Sequence, residues 1–288
     1  DRPSDLEKIE NLLNIPHVEF IDRLDHQVFE LLKAKFAGKL LSEREIWDLV
    51  PDFFQKNPRE TYGNWVFYPW KWKVVRLLPE KDFIFVRTQR NNYKITPSEQ
   101  QELAGEKIGI IGLSVGQSIA LTIALERSCG ELRLADFDTL ELSNLNRIKA
   151  GVLDLGMKKV VIAAREILEI DPYLKLTLFR EGISENTIDQ FLIENGKLDL
   201  LIDECDSLDI KILARERAKD FRIPVLMETS DRGMLDVERF DLEPDRAILH
   251  GAMGKISHGD LKDLTQQQKV SIGLRITGAS TISTRMKA

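Results

Sequence analysis

The sequence predicts an α/β protein built on a doubly wound, mainly parallel sheet, with a small α+β region ahead of it. Two observations lead there. From Lys107 onward, short apolar runs alternate with amphipathic stretches, and the apolar run ending at Ala135 passes directly into a polar segment, Asp136-Phe137-Asp138-Thr139-Leu140-Glu141-Leu142-Ser143-Asn144-Leu145-Asn146-Arg147. Alternating strands and helices imply parallel strands joined by right-handed crossovers, and such sheets bind ligands beyond the carboxyl ends of their strands. A polar segment at a strand end therefore marks a candidate nucleotide site.

Each element follows from its own pattern. Thr96-Pro97-Ser98-Glu99 combines a capping box with proline at the first helical position, which predicts a short helix toward Leu103. Beyond it the periodicity predicts strand Lys107 to Ile111, helix Val115 to Arg127, strand Leu132 to Ala135 and helix Lys158 to Ile170. Strand Leu174 to Phe179, helix Glu185 to Ile193, strand Leu198 to Ile202, helix Leu208 to Phe221 and strand Pro224 to Met227 complete the series. Residues 1–95 are expected to form the N-terminal α+β extension, and 96–288 a nucleotide-binding domain with a core at 105–230 and a C-terminal extension at 231–288. In the first region Phe29 to Leu32 and Glu45 to Val50 have helical spacing, and Asn64 to Val75 reads as two strands around a proline turn. Trp47, Trp65, Trp70 and Trp72 all lie there; spaced apolar residues in so short a region read as core rather than as a binding face.

Composition bounds the function. A chain of 288 residues, 43% hydrophobic and 31% charged, has the length to bury a large core in one big or two modest domains. Its net charge of −6, with no basic block interleaved with aromatics, argues against nucleic acid as a default partner. It has no apolar run of bilayer length and no signal peptide, so a soluble, cytoplasmic protein is expected. With Cys129 and Cys205 the only thiols, and His17, His26, His250 and His258 scattered, neither a disulfide framework nor a structural zinc is expected.

The chemistry concentrates at the strand ends. Ile111-Gly112-Leu113-Ser114-Val115-Gly116-Gln117-Ser118 is a strand-to-helix turn that offers backbone N–H groups and a positive helix end to phosphate. Taken alone it is weak evidence, because the dinucleotide pattern wants three glycines and Ser114 and Gln117 stand where two of them belong; a tight turn serves packing equally. Asp136 strengthens the case, since a carboxylate roughly 20 residues further on can accept hydrogen bonds from ribose hydroxyls. Arg147 and Lys159, read singly, are surface cations; Asp206 is a helix cap and Asn144 a turn-former.

Read together, these segments become specific. Asp136-x-Asp138, Ser143-Asn144-Leu145-Asn146-Arg147, Gly156-x-x-Lys159 at a helix start, Asp171-Pro172 and Asp203-Glu204-Cys205-Asp206 follow one another in an order that resembles the ubiquitin-activating-enzyme-like adenylyltransferases, the ThiF, MoeB and HesA group. The likeness covers about residues 88–230. It implies a Rossmann-like fold and an enzyme that activates a carboxylate with ATP and magnesium, releasing pyrophosphate and leaving an acyl adenylate. It further implies that Gly112, Ser114 and Gly116 cradle the nucleotide and that Asp136, with Asp138 beside it, serves the ribose. Asn144 and Arg147 would contact phosphates, Lys159 would reach the α- and β-phosphates, and Asp206 would bind magnesium. Relatives complete such a site with an arginine supplied across a dimer, for which Arg90 is the candidate and Arg87 its nearest competitor. The implied substrate is the C-terminal glycine of a ubiquitin-like or sulfur-carrier protein, and the implied assembly a homodimer.

Several departures shape the expectation. Ser114 and Val115 replace glycines usual in the group, so side chains are expected to crowd the phosphate approach. The paired cysteines that bind zinc in many relatives are missing, as is a later cysteine to accept the acyl group; Cys129 is expected to be a buried apolar residue, and an adenylate would pass to another domain, protein or nucleophile. The segments 229–233 and 237–244, with the long N-terminal extension, are similar to a bacterial subgroup in which a nitroreductase-like flavin domain follows, so the chain is expected to be the N-terminal part of a longer protein. Two other readings stay open: a non-catalytic nucleotide-binding module that regulates an attached domain, and an NAD-dependent oxidoreductase indifferent to Lys159 and Asp206.

Overall fold

A computed structural model describes residues 3–229, 234–254, 256–276 and 278. Ser230 to Gly233, part of the segment likened to the flavin-fused subgroup, lie outside the described residues. The chain forms two compact units, Asp1–Pro97 and Ser98–Ala288.

The first unit runs α1 (Pro3–Leu13), β1 (Glu19–Asp22), α2 (Leu24–Lys35), α3 (Glu43–Lys56), β2 (Asn64–Tyr68), β3 (Lys73–Leu77) and α4 (Glu80–Thr88). The helical spacing of Leu24, Val28, Leu31 and Leu32 puts one apolar stripe of α2 against Ile46 and Val50 of α3. Ser42 and Glu45 close a reciprocal capping box at the start of α3: the Ser42 hydroxyl accepts from the Glu45 N–H at 3.3 Å, and the Glu45 carboxylate from the Ser42 N–H at 2.7 Å. The strands form a three-stranded sheet in the order β1-β3-β2, with β2 antiparallel and β1 parallel to β3. The expectation of a tryptophan core is corrected here. The core is aliphatic, whereas Trp47 and Trp72 are exposed, and Trp65 lines a cavity of about 1020 Å³ together with Ile9, Leu12, Phe67 and Arg76.

In the second unit α5 (Pro97–Leu103), which starts at the unit boundary, is followed by β4 (Lys107–Ile111), α6 (Gly116–Glu126), β5 (Glu131–Ala135), α7 (Lys159–Ile170) and β6 (Lys175–Phe179). Then come α8 (Ile188–Ile193), β7 (Leu200–Asp203), α9 (Leu208–Asp220), β8 (Val225–Thr229), β9 (Met234–Glu238) and α10 (Gln266–Ile276). The six strands lie in the order β6-β5-β4-β7-β8-β9, all pairings parallel except β8 with β9. This is the α/β doubly wound, Rossmann-like sheet the alternation predicts. The chain builds β4, β5 and β6 outward, then returns across β4 to start β7, so the strand order reverses at the β4/β7 boundary. Ile111 is in register with both Ala135 and Asp203, which aligns three carboxyl ends at that switch point.

Two cores sandwich the sheet. Ile110, Leu132 and Leu134 pack with Ala120, Leu121 and Ala124 of α6 and Val160, Ala163 and Ile167 of α7. Ile111, Ala135 and Leu201 pack with Phe191 and Leu192 of α8 and Leu213, Ala214 and Ala218 of α9. Burial of each large aliphatic side chain contributes about 1.5–3 kcal/mol. Charges also enter the interior in matched sets: buried Arg133 of β5 donates to Glu131 at 2.9 Å and to the Phe191 and Gly196 carbonyls at 2.8 and 2.7 Å. α8 begins three residues later than its pattern predicts, because the Ser184 N–H bonds the Thr187 hydroxyl at 2.9 Å and forms a separate turn. Strand β9 escapes the apolar pattern because Asp236 and Glu238 are charged, although both are buried. No described helix is long and apolar enough to cross a membrane.

Candidate functional site

The site is assembled from the loops that leave β4, β5 and β7. The Gly112 N–H donates to the Ala135 carbonyl at 2.9 Å, and the Glu204 N–H to the Ile111 carbonyl at 2.8 Å. Gly112 has φ +88°, and a Cβ there would lie 2.6 Å from the Glu204 carbonyl oxygen and 2.7 Å from the Cys205 nitrogen. Glycine at this position both turns the chain and lets the two loops touch. No positive φ is required at Ser114, and Val115 has φ −97° and ψ −42°, so the turn carries both side chains without backbone strain. Gly116 opens α6 tight against Ile110, whose Cγ2 would be 2.8 Å from an added Cβ.

Asp136 stitches the first two loops together. It is 7% exposed, and its carboxylate accepts from the Leu113 and Asp138 N–H groups, each at 2.7 Å. Burial raises its proton affinity above the ordinary aspartate range, against the pull of those amides and of Lys159. Lys159 projects into the same place from the first turn of α7. It is 5% exposed, and its ammonium donates to Asp138 Oδ2 at 2.8 Å and Ser114 Oγ at 3.1 Å. That placement removes the reading of Lys159 as a solvated surface cation. Neighbouring Lys158 points elsewhere, toward the Phe137 carbonyl and Glu181.

The remaining sequence candidates are placed less uniformly. Asn144 is buried, and its Oδ1 accepts from the Glu141 N–H at 3.0 Å, closing the short helical turn Leu142–Asn146. Arg147 is exposed and bonds its own loop, at the Ser143 carbonyl and Asn146 Oδ1. Asp206 is exposed on the loop after β7, and the cap of α9 is Ser207, whose hydroxyl accepts from the Ile210 N–H at 3.4 Å. Arg90 is exposed in the short turn Gln89–Tyr93, which belongs to the other unit.

Asp206 sits one residue beyond Cys205, whose backbone faces Gly112, and makes no hydrogen bond or ion pair among the described residues. A free carboxylate of this kind fits magnesium, which takes one or two protein carboxylates and completes its shell with phosphate oxygens and water. No group of three or more His, Cys, Asp or Glu among the described residues could hold a metal by itself.

Other contributors were given no role in the site by the sequence. Gln117 registers in sequence only as a missing glycine, yet it is buried and its amide brackets Lys149, donating to the carbonyl at 3.1 Å and accepting from the N–H at 2.8 Å. It thereby anchors the loop that carries Asn144 and Arg147. Asp203, fully buried at the end of β7, is held by Arg215 and Lys211, and Arg215 reaches on to Glu238 of β9 at 2.6 Å. Burial alone would raise the Asp203 carboxyl, but the Arg215 and Lys211 charges overcome it and hold the group below the ordinary range. The Cys205 thiol donates to Asp203 at 2.9 Å and is pushed up by burial; Cys129 is pushed up to about 12 by the same cause. Neither offers a thiolate near neutral pH.

The sequence has relatives among known proteins. The model of the ThiF family matches residues 86–262. A Mycobacterium tuberculosis protein named uncharacterized protein MT1398 is 43% identical over 290 residues, covering 100% of this chain and 38% of its own length. The tRNA threonylcarbamoyladenosine dehydratase 2 of Saccharomyces cerevisiae is 26% identical over 145 residues, covering 49% of this chain and 32% of its own. The molybdopterin-synthase adenylyltransferase of Haemophilus influenzae is 25% identical over 147 residues, covering 51% of this chain and 59% of its own. The chain thus spans less than two thirds of each of these relatives. With more than half of its residues inside the family's match, the chain belongs to the ThiF family.

Proposed function

We propose that the Ser98–Ala288 unit binds ATP with magnesium and adenylates a carboxylate, the C-terminal glycine of a ubiquitin-like or sulfur-carrier protein being the substrate. The observation that carries the reading is the buried Lys159 ammonium, held where the β4 turn and the β5 loop meet. An incoming carboxylate and a triphosphate repel each other, and negative charge accumulates on the α-phosphate and the departing pyrophosphate as the acyl–phosphate bond forms. A cation fixed there in advance lowers that barrier without reorganising during the reaction. Magnesium, held by Asp206 and the phosphates, would neutralise further charge on the leaving group. The N-terminus of α6 would face the same anion. Asp136 keeps the turn and the β5 loop in register and has lone pairs left for a ribose hydroxyl.

Arg147 would enter the site by exchanging its exposed loop contacts for a phosphate. Arg90 would act across a homodimer, as part of the same proposal. The relatives named for adenylyltransferase activity support the reaction class, and the yeast dehydratase favours a second reading in which the carboxylate is carried on tRNA. The two are separated by which macromolecule stimulates ATP–pyrophosphate exchange.

Calorimetric titration of the full chain with ATP and magnesium, and separately with NAD, tests the core claim. Lys159→Met and Asp206→Ala are expected to weaken ATP binding, and Lys159→Met to slow pyrophosphate exchange by about 10²- to 10³-fold, as for loss of one preorganised donor. Unchanged ATP binding in both variants, or binding of NAD in place of ATP, would sink the proposal.

A further inference from the structure

Ser114 is the residue at which this chain departs from the glycine-rich turn, and the structure gives that departure a use. A buried ammonium has three protons to place. Among the described residues Lys159 finds two acceptors, Asp138 Oδ2 at 2.8 Å and Ser114 Oγ at 3.1 Å. They differ in kind. Asp138 is a carboxylate, 48% exposed, which competes with any phosphate for the lysine's charge and can be taken over by water when it lets go. Ser114 is neutral, belongs to the β4 turn, and has no charge to set against an incoming anion. Lysine is a long flexible stem with much rotamer freedom to lose, so a fixed acceptor at the turn favours the one arrangement that faces a nucleotide. Glycine has no side chain to supply that acceptor, and the backbone at this position does not require glycine.

We propose that Ser114 is a positioning residue for Lys159: its hydroxyl accepts one ammonium proton and keeps the side chain at the turn, leaving another proton for a phosphate oxygen. The inference rests on the nucleotide-binding reading of the site and adds a residue-specific device to it. Ser114 acts through the lysine, so its contribution exists only while the lysine is present.

The experiment is a titration of magnesium and ATP into the full chain and into Ser114→Ala, Ser114→Thr, Lys159→Met and the Ser114→Ala/Lys159→Met double variant, with a melting curve for each. Loss of one charge-assisted hydrogen bond predicts about tenfold weaker binding in Ser114→Ala at an unchanged melting temperature. Ser114→Thr, which keeps the hydroxyl, is expected to restore most of the affinity, and Ser114→Ala to add nothing once Lys159 is Met. Parent-like binding by Ser114→Ala, or a further loss in the double variant, overturns the proposal while the nucleotide reading stands. ATP binding that ignores Lys159→Met, or no ATP binding by the parent chain, overturns the reading of the site and Ser114's role with it.

Discussion

At Gly112 the absence of one methyl group decides whether two loops meet. The φ is positive and the Glu204 carbonyl oxygen lies 2.6 Å from where a Cβ would stand, which leaves no room for alanine, since the obstacles are backbone. Gly112→Ala is expected to cost about 1–3 kcal/mol of stability, as for a residue forced into the left-handed region, and to weaken ATP binding by parting the loops. Urea unfolding with a parallel titration checks this; parent-like values in both would show that the turn relaxes freely. A second residue sets a pH dependence. Asp203 titrates below the ordinary aspartate range in the folded chain, so its stabilisation is complete above the unfolded value of about pH 4 and is lost as pH falls through the depressed one. The stability gap between the parent and Asp203→Asn is therefore expected to hold steady from pH 7 to about pH 4 and to narrow below it. A gap that stays constant into strong acid would mean that the carboxylate's charge is not what matters there.

At the scale of elements, Arg215 of α9 joins the end of β7 to β9 through Asp203 and Glu238, and the other Glu238 oxygen accepts from the Leu249 N–H at 2.6 Å. Removing the arginine leaves Glu238 buried without a cation and Asp203 with Lys211 alone, so Arg215→Met is expected to destabilise the second unit by about 3–5 kcal/mol, measured by urea unfolding. An effect below about 1 kcal/mol would indicate that water enters and screens them. The same residues show where sequence reading reaches its limit. The parallel core was legible because β4 and β7 carry apolar runs and β5 an apolar face at Leu132 and Leu134, and each is followed by a polar segment or a helix with its own signature. Asp136 was legible from its place at a strand end roughly 20 residues after the glycine turn, whereas Lys159 stood out only through the order of motifs that resembles the family. Arg215 and Glu238 were not, since a charged residue in an amphipathic helix or a mixed strand reads as solvent-facing until its partner is known, and the partner is 23 residues away. Gln117 hid for a related reason: its role depends on Lys149, which the helix pattern cannot reveal. The tryptophans misled in the opposite direction, because hydrophobic size predicts burial only where a facing surface exists to cover it.

Across the whole molecule, each unit has its own apolar core: Leu24, Val28, Leu31, Ile46 and Leu78 in the first, and the two faces of the parallel sheet in the second. A unit with a separate core can unfold as a separate cooperative block. Differential scanning calorimetry is therefore expected to resolve two transitions, each answering to its own perturbation. Ser42→Ala, which removes the α3 capping box, should lower one transition by the equivalent of about 1 kcal/mol and leave the other in place. Arg215→Met should do the reverse. Saturating ATP with magnesium should raise chiefly the transition that Arg215→Met lowers, by about 2.7 kcal/mol at a hundredfold excess over the dissociation constant, because a ligand stabilises the folded block that holds most of its site. One transition displaced by all three perturbations would show that the chain unfolds as a single block. A nucleotide effect confined to the Ser42-sensitive transition would move the binding site out of the parallel sheet and away from Lys159.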